Sequence, residues 1–421
     1  MSEPKPPFIR RVILRNYKSI RDCDVTLGPL TFLVGPNGSG KSNFLDALRF
    51  VGDSLWTTIE LAFRERGGIK EVCYHSQQDA NDFSVELQLT LPDGREASYA
   101  FTVAANPQNR FEVKEEECHV FGKGSAKDSY RINKGQVEVA TFQPSPPVVP
   151  NRLYLTVASS FPEFRNVYDF LSRMRFYNIN PEKMRWEEQS LESDSSHTLL
   201  RDGSGAAIVL WGIQETRTKQ RIDTYMREIL PALAEVKVES LSEHARRQTG
   251  DFCSPTSKRD FGDEPDCLSF VFSLDRRRVY FSPQAMSDGT LRAFGVLLAL
   301  FQCTGRSDPH TIPLVGIEEP ENALHPAAAG VLFDAVHEAS HFTQVLVTTH
   351  SADLLDIKDL DPEALRMVDI VDGETVIGPV DKASRSIMRD RLATAGELLR
   401  QNQFRVVGQP LTPVRADTDE S

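Results

Sequence analysis

A glycine-rich loop near the start of the chain has the residue types and spacing of a phosphate-binding loop. Residues Gly35 to Ser42 read Gly-Pro-Asn-Gly-Ser-Gly-Lys-Ser. The glycines in this pattern let backbone N–H groups approach phosphate oxygens without a Cβ atom in the way. The ammonium group of Lys41 can reach the β- and γ-phosphates, and the hydroxyl of Ser42 can bind Mg²⁺. The sequence therefore predicts a site for a nucleotide and its metal.

Two carboxylates follow an apolar run in the last third of the chain. Residues 311–317 have the continuous apolar character of a parallel strand buried on both faces, and Glu318 and Glu319 come directly after them. Carboxylates at the carboxyl end of such a strand lie in the ligand crevice of an open α/β sheet. We expect Glu318 to hold Mg²⁺ through water, and Glu319 to polarise an attacking water. An acidic strand exit is common by itself, but the phosphate-binding loop favours this interpretation.

Two further segments could contact phosphate. His350 ends a second apolar run, residues 345–349, and a histidine at a strand end can reach a γ-phosphate. Ser287 and Gly289 precede an apolar helix, and the N-terminus of a helix attracts anions. A serine that only caps the helix would look identical in sequence.

The elements around these residues alternate in type. The run Leu30–Val34 predicts a strand before the phosphate-binding loop, and Asn43–Val51 predicts a helix after it. Alternation from Phe83 to Val139 predicts an antiparallel sheet, whereas residues 160–245 have mainly helical periodicity. From these patterns we predict an N-terminal part of a nucleotide-binding core (1–150), an inserted helical lobe (151–260), a C-terminal part of the core (261–404) and a disordered tail (405–421).

The composition excludes some classes of protein. The chain has 421 residues and a formal net charge of -12, which argues against a strongly basic DNA-binding protein but allows a local basic patch. Its six cysteines include no C-x-x-C pair, so buried or incidental thiols are a better interpretation than a zinc site. The longest apolar run, 293–301, is too short to cross a bilayer. We expect a reduced, cytoplasmic protein without membrane contact.

In their order along the chain, these motifs resemble those of the ABC-type ATPases of the RecF/SMC/OLD branch, in particular the short bacterial RecF-like ATPases. The resemblance spans residues 8–380 and rests on residues 12–20, 35–42, 286–290, 317–326 and 348–351. It implies an α/β fold: a P-loop NTPase core of the ABC-ATPase head type, a flanking antiparallel β-sheet and an inserted helical lobe. It also implies that the chain binds ATP and Mg²⁺ and hydrolyses ATP.

The resemblance implies a role for each matching residue. The Walker A motif would consist of Gly35, Pro36, Asn37, Gly38, Ser39, Gly40, Lys41 and Ser42. The other roles would be the Walker B pair (Glu318 and Glu319), the D-loop (Asn322–His325), the switch histidine (His350), the signature (Ser287 and Gly289) and contacts near the base and ribose (Lys18 and Ser19). Catalysis would depend on Glu319, Lys41, His350 and Ser287. The metal would be held by Ser42 and Glu318.

The chain departs from the family pattern at three positions. Glu318 replaces the usual Walker B aspartate, and Asp288 and Thr290 replace the usual glycine and glutamine of the signature. The longer carboxylate at 318 and the added negative charge at 288 predict slow hydrolysis. The candidates for the glutamine-loop residue are Gln77 and Gln78, which precede the strand predicted from Phe83.

The resemblance also implies partners. Because each half-site lacks the signature that a partner supplies, we expect a homodimer sandwiching ATP, or a higher oligomer. Three functions are compatible with the motifs: an ATP-gated DNA clamp in repair, the ATPase of a phage-defence system that controls a separate nuclease or toxin, and a transporter subunit, which the helical insert and signature disfavour. For DNA, the candidate surface is the basic helical lobe, including Arg217, Lys219 and Arg221.

Overall fold

The computed structural model describes residues 8–74, 82–105, 111–122, 127–143, 145–149, 151–185, 198–213, 216–239, 267–275, 277–302, 311–404 and 406. The strands are β1 (Phe8–Tyr17), β2 (Ile20–Thr26), β3 (Leu30–Val34), β4 (Asp82–Thr90), β5 (Glu96–Ala105), β6 (Phe111–Phe121), β7 (Lys127–Asn133), β8 (Gln136–Ala140), β9 (Arg175–Tyr177), β10 (Leu233–Glu239), β11 (Cys267–Leu274), β12 (Arg277–Phe281), β13 (Leu314–Glu318), β14 (Gln344–Thr349), β15 (Leu365–Val371) and β16 (Glu374–Pro379). The α-helices are α1 (Lys41–Trp56), α2 (Ile59–Arg64), α3 (Ile69–Val72), α4 (Leu155–Ala158), α5 (Pro162–Ser172), α6 (Pro181–Arg185), α7 (Ala206–Ile213), α8 (Arg217–Ile229), α9 (Asp288–Phe301), α10 (Pro326–Ala339), α11 (Lys382–Arg389) and α12 (Ala395–Arg400).

A six-stranded sheet forms the centre of the nucleotide core, with the strand order β16-β15-β3-β14-β13-β9. Strands β15, β3, β14, β13 and β9 are parallel to their neighbours, and β16 is antiparallel at one edge. Every residue of β14 is buried, as expected for a strand covered on both faces. The carboxyl ends of β3, β14 and β13 therefore meet at one edge of the sheet, where the Walker A loop follows β3, His350 follows β14 and Glu318 ends β13.

A second sheet lies over one side of this core. It has seven antiparallel strands in the order β2-β1-β4-β5-β6-β7-β8, which confirms the predicted flanking antiparallel sheet. Its buried side chains share one hydrophobic cluster with α1 and with residues of the central sheet. Within that cluster Phe50 of α1 packs edge-on against Phe83 of β4, with 5.4 Å between ring centroids. Helix α1 is thus fixed between the two sheets, and its N-terminus is held at the Walker A loop.

The opposite face of the central sheet is covered by a second hydrophobic cluster. Helices α9 and α10 contribute most of its apolar side chains, and Phe32 of β3 stacks on Phe333 of α10 at 5.9 Å. Strands β10, β11 and β12 form a three-stranded antiparallel sheet, and β10 and β11 contribute side chains to the same cluster. The Walker A strand is therefore buried between two separate hydrophobic layers.

The segment predicted as an inserted helical lobe, residues 151–260, is only partly helical. It contains α4 to α8, but β9 pairs with β13 inside the central sheet, and β10 belongs to the three-stranded sheet. Residues 175–177 are thus part of the nucleotide core, and the segment boundaries remain predictions. Of the predicted tail, only Val406 is described, and it forms a β-bridge with Val380. No helix among the described residues is long and apolar enough to span a lipid bilayer.

Candidate functional site

The Walker A loop is packed so closely that two of its positions accept only glycine. A Cβ atom on Gly35 would lie 2.0 Å from the carbonyl oxygen of Val368 in β15. A Cβ atom on Gly40 would lie 2.2 Å from Thr375 Oγ1, and Gly40 has a left-handed backbone with φ of 102°. The loop thus turns tightly against β15 and β16 and leads directly into α1.

The ammonium group of Lys41 is held inside this loop. Its Nζ donates hydrogen bonds to the carbonyl oxygens of Gly35 (2.8 Å) and Pro36 (2.9 Å), and the residue is 5% exposed. Burial lowers the pKa of Lys41, and the nearby carboxylates of Glu319 and Glu321 oppose this shift. The ammonium group is thus fixed at the Walker A loop, where its positive charge can bind an anion such as a phosphate group.

The rest of the loop presents groups that fit phosphate and metal. Pro36, Asn37, Gly38 and Ser42 are exposed, whereas Ser39 is buried and its Oγ has no hydrogen-bond partner among the described residues. Exposed backbone amides at a helix N-terminus favour phosphate. The loop therefore fits a nucleotide phosphate chain, and the exposed Ser42 hydroxyl fits Mg²⁺.

A chain of hydrogen bonds connects Ser19 to the Walker A loop. Thr375 Oγ1 donates to the carbonyl oxygen of Ser39 (2.9 Å), and the Ser19 hydroxyl therefore donates to Thr375 Oγ1 across 2.7 Å. Asn43 Nδ2 in turn donates to Ser19 Oγ (2.7 Å). Lys18 is held next to this chain by an ion pair with Asp46 of α1 (2.5 Å). Both residues predicted to contact the base and ribose thus lie at the N-terminal end of α1.

The two Walker B carboxylates differ in their surroundings. Glu318 ends β13 and pairs with Thr348 of β14, while Val34 of β3 pairs with the following Thr349. Only one strand therefore separates Glu318 from the strand that leads into the Walker A loop. The side chain of Glu318 is 14% exposed and accepts a hydrogen bond from Arg201 Nη2 at 2.9 Å.

Glu319 lies in the turn after β13 and is oriented by three neighbours. Its backbone has a φ of 44°, unusual for a residue with a side chain, and its N–H donates to the carbonyl oxygen of Thr348 at 3.0 Å. Asn322 Nδ2 donates to Glu319 Oε2 (2.8 Å), and His350 Nδ1 lies 3.3 Å from Glu319 Oε1. The structure thus joins the predicted base, D-loop and switch histidine in one hydrogen-bonded group.

A third carboxylate of the same turn was not predicted to take part. Glu321 is 8% exposed, accepts a hydrogen bond from Thr349 Oγ1 at 2.5 Å, and has a second oxygen, Oε2, without a partner among the described residues. Burial raises the pKa of Glu321, and the negative charge of Glu319 adds to this effect. Glu321 therefore supports the turn between Glu319 and the strand end of β14.

Of the two signature residues, Gly289 packs against the D-loop of its own chain, and Ser287 lies at the exposed N-terminus of α9. Ser287 is exposed and caps α9, with its Oγ accepting from Thr290 N (3.2 Å). A Cβ atom on Gly289 would lie 2.3 Å from the carbonyl oxygen of Ala323. The added charge at Asp288 is paired with Arg185, so it is partly compensated within the chain.

The strand order also indicates a candidate for the glutamine-loop position. Gln77 and Gln78 lie outside the described residues. Tyr177 at the end of β9 pairs with Ile317 of β13, so Asn178 follows at the level of Glu318. Its side chain is exposed and carries an amide oxygen, the group that a glutamine would supply. A three-residue strand has no detectable period, so sequence patterns missed this position.

The structure contradicts Lys219 as a predicted DNA contact, because the residue is buried, whereas Arg217 and Arg221 remain predictions. Lys219 is 5% exposed and pairs with Asp223 one helical turn later (2.5 Å). Arg221 pairs with Glu338 of α10 (3.0 Å), and its guanidinium lies 5.4 Å from the Phe301 ring centroid. Arg221 thus joins α8 to α10, whereas the Lys219–Asp223 pair lies within α8; of these three residues, Arg217 alone is exposed. The total charge of a segment does not reveal which of its cations are already paired.

Comparisons with known proteins agree with this geometry. A family model described as "AAA ATPase domain" matches residues 8–134, and one described as "AAA domain, putative AbiEii toxin, Type IV TA system" matches residues 161–356. Structural maintenance of chromosomes protein 1 of Schizosaccharomyces pombe is 24% identical over 277 residues, covering 56% of this chain and 21% of that protein. OLD nuclease of Thermus scotoductus is 39% identical over 52 residues, 12% of this chain and 10% of the relative.

Two further similarities extend the comparison. The DNA double-strand break repair Rad50 ATPase of Halobacterium salinarum is 33% identical over 117 residues, 27% of this chain and 13% of the relative. The matches thus span between 10% and 21% of the length of these three relatives. Among solved structures, an SmcHead bound to the C-winged helix domain of ScpA has a TM-score of 0.53 at 12% identity, covering 90% of this chain and 99% of that one. This structural likeness supports the ABC-ATPase head fold.

Proposed function

The chain belongs to the ABC-type ATPases of the RecF/SMC/OLD branch, and we propose that it binds ATP with Mg²⁺ and hydrolyses ATP to ADP and phosphate between two copies of itself. One observation carries most of this proposal. The Walker A loop and Glu318-Glu319 follow strands β3 and β13, which are separated only by β14. A phosphate-binding loop and two carboxylates thus share one edge of a buried parallel sheet, the usual ligand crevice of such folds.

Each group has a distinct part in the proposed reaction. Lys41 and the loop amides bind the phosphate oxygens, and Ser42 and Glu318 hold Mg²⁺. When bound, Mg²⁺ neutralises charge on the phosphates and helps to orient them. Among the described residues, no group of three or more His, Cys, Asp or Glu side chains is arranged to hold a metal ion. Mg²⁺ usually keeps several waters and is bound through one or two protein ligands together with the nucleotide phosphates.

Glu319 is the proposed general base. Its carboxylate is fixed by Asn322 on one oxygen and lies near His350 on the other, so it is oriented before substrate arrives. Water that attacks the γ-phosphate loses its proton towards Glu319, the β–γ phosphate bond breaks, and ADP leaves with the bridging oxygen. Lys41 and His350 stabilise the charge on the transferred group.

We propose that the site is completed by a second chain. Ser287 is exposed at the N-terminus of α9, so its hydroxyl and the helix dipole can face phosphates bound to a partner copy. The isologous dimer that results holds two ATP molecules, and higher oligomers can be built from it. The energy of hydrolysis opens this dimer, and we propose that the rate is slow because Glu318 replaces the shorter aspartate.

For the cellular role, we propose that dimer opening and closing gates engagement of DNA or a partner protein in DNA repair or maintenance. The similarity to a protein named as a double-strand break repair ATPase supports this role. The alternative is the ATPase of a phage-defence system that controls a separate nuclease or toxin. Its support is the similarity to an OLD nuclease and a family description that includes a putative toxin.

The nucleotide site is tested with a fluorescent ATP analogue and a phosphate-release assay. Wild-type protein should bind the analogue and release phosphate, and Lys41→Ala should lose both. The matched control is Lys134→Asn, which removes an exposed lysine at a left-handed turn on the flanking sheet and should change neither. Normal binding by a folded Lys41→Ala variant would refute the proposed site.

DNA engagement is tested separately with the same preparations. Binding of single- and double-stranded DNA should require ATP and should weaken steeply as salt rises, because the acidic chain can offer only a local site. If the protein forms dimers but binds no DNA at low salt with ATP present, engagement of a partner protein rather than DNA would be favoured.

A further inference from the structure

The backbone of Arg201 is hydrogen-bonded to the segment that follows β9, although the residue lies 117 positions before Glu318. Asn178 N donates to the carbonyl oxygen of Arg201 (2.9 Å), and Asn180 N donates to that of Asp202 (2.9 Å). Gly203, with φ of 92°, closes the turn that follows. The segment around Arg201 therefore runs along the extension of β9, the strand next to β13.

The side chain of Arg201 uses this position to reach Glu318. Arg201 Nη2 and Glu318 Oε1 are 2.9 Å apart, a charge-assisted hydrogen bond. The arginine side chain is 47% exposed, whereas the carboxylate is 14% exposed. The carboxylate is thus mostly shielded from water, while the cation can swing outward into solvent.

This ion pair occupies the carboxylate that the proposed function assigns to Mg²⁺. A guanidinium and a divalent cation compete for the same negative charge, because each raises the electrostatic cost of placing the other there. Resting on the proposed role of Glu318, we propose that Arg201 is a displaceable counter-ion: it holds Glu318 in the nucleotide-free chain and is expelled when Mg²⁺ and nucleotide bind.

The same segment is attached to the signature helix. Leu199 N donates to Gln302 Oε1 at the end of α9 (2.9 Å), and Gln302 Nε2 donates to the Tyr177 hydroxyl (2.7 Å). A shift of α9 relative to β13 therefore also moves the segment that carries Arg201. The release of Glu318 by Arg201 in one ATP site is thereby linked to the position of Ser287 of the same chain, which is proposed to complete the second ATP site of the dimer.

The proposal is tested by the Mg²⁺ dependence of nucleotide binding, which requires no turnover. A fluorescent derivative of the non-hydrolysable analogue AMP-PNP is titrated with protein at fixed Mg²⁺ concentrations. Arg201→Gln should lower the Mg²⁺ concentration for half-maximal binding by about three- to tenfold, because the cation that competes for Glu318 is gone. The matched control is Arg278→Gln, which breaks an exposed pair with Glu235 (3.1 Å) on the three-stranded sheet and should leave the Mg²⁺ requirement unchanged.

A double variant tests whether the effect acts through Glu318. In a Glu318→Gln background, Arg201→Gln should produce no further change in Mg²⁺ requirement. Arg201→Lys keeps the charge on a shorter, single-point donor, so its Mg²⁺ requirement should fall between those of wild type and Arg201→Gln. If circular dichroism shows that Arg201→Gln is unfolded, the lysine variant decides the question by the same titration.

Three results would overturn the proposal. The first is an Arg201→Gln variant that needs the same or a higher Mg²⁺ concentration than wild type. The second is an equal effect of Arg201→Gln with and without the Glu318 carboxylate. The third is a folded wild-type protein that binds no analogue at any Mg²⁺ concentration, which alone would also refute the proposed ATPase site.

Discussion

Asn322 Nδ2 donates a 2.8 Å hydrogen bond to Glu319 Oε2, so the D-loop holds the carboxylate proposed as the general base. The other oxygen of Glu319 lies 3.3 Å from His350 Nδ1, beyond the next strand end. The carboxylate is therefore constrained from two sides while its backbone adopts a left-handed φ of 44°. Such local strain persists where the surrounding structure holds it, and it is common at active sites.

Replacement of the base should separate binding from hydrolysis. Glu319→Gln keeps the size of the side chain and its acceptor oxygen but removes the basic carboxylate, so turnover should fall about 10²–10⁴-fold. Nucleotide affinity should remain, and the ATP-bound dimer should accumulate. Phosphate release gives the rate, and light scattering in ATP gives the mass. Near-normal turnover would mean that another group is the base.

The contact from Asn322 should act on turnover alone. Asn322→Ala removes the donor that orients Glu319, and kcat should fall about tenfold, within the range expected when an oriented base is misplaced. The Kd for a non-hydrolysable analogue should stay within about twofold, because Asn322 makes no predicted contact with the ground-state phosphates. In a Glu319→Gln background the same change should have no further effect on turnover. An additional loss there would show that Asn322 acts by another route.

Two glycines offer a matched test of the Walker A packing. Gly35→Ala places a Cβ atom 2.0 Å from the Val368 carbonyl oxygen, so the backbone must shift. We expect the free energy of unfolding to fall by about 1–3 kcal/mol and nucleotide binding to be lost. Gly330→Ala, inside α10, places a Cβ atom where nothing lies within 4 Å and should stabilise the fold by about 0.5–1 kcal/mol. Urea denaturation measures both. Equal stability of the two variants would contradict the close packing of the loop.

The buried carboxylate of Asp46 should make stability depend on acid pH. Burial alone would raise its pKa, but Arg66, Lys18 and Arg49 outweigh burial and hold the pKa of Asp46 well below its usual value. A carboxyl group whose pKa is lower in the folded chain stabilises the fold at pH values above its pKa in the unfolded chain, about 3.9. This stabilisation decreases as the pH falls below that value. Asp46→Asn should therefore cost about 3 kcal/mol at neutral pH.

Measuring the effect of Asp46→Asn on the free energy of unfolding at two pH values tests whether the charge of Asp46 is the cause. The difference in unfolding free energy between wild type and Asp46→Asn should shrink from pH 7 to about pH 3, where Asp46 is mostly protonated in the unfolded wild-type chain. A difference that is the same at both pH values would show that the charge of Asp46 is not the cause. Carboxylates that do not interact with Asp46 or its partners titrate equally in both proteins, so their contributions cancel.

Hydrophobic periodicity and apolar runs in the sequence predicted the strands and the helix that carry the site residues. The strand before Gly35, the helix after Ser42 and the buried strands before Glu318 and His350 each have a clear period or apolar run, and the structure contains them all. The rules of parallel sheets were then sufficient to place their ends together.

Contacts between distant residues could not be predicted in this way. Thr375 reaches the Walker A loop from β16, and Arg201 reaches Glu318 from beside β9, through pairings that no local period encodes. The pairing of Lys219 with Asp223 was accessible, since the two are four residues apart on one helix, but burial of that pair depends on how α8 packs. Charge alone therefore could not show that Lys219 is unavailable to DNA.

The composite site predicts complementation between two inactive chains. Lys41→Ala loses its own phosphate site, and Ser287→Arg spoils the signature offered to its partner. Mixing the two variants should restore part of the activity, because a heterodimer contains one site with both Lys41 and Ser287 intact. No recovery at concentrations where heterodimers are demonstrated would indicate that one intact site is insufficient.

The central claim, an ATPase site shared by two chains, is tested most directly by the ATPase rate per chain as a function of protein concentration. Phosphate release by wild-type protein is measured across the range in which sizing in ATP shows the change from monomer to dimer. Our account predicts a rate per chain that is close to zero for the monomer and rises to a plateau as dimers saturate. A rate per chain that stays constant down to concentrations where only monomer is present would contradict it.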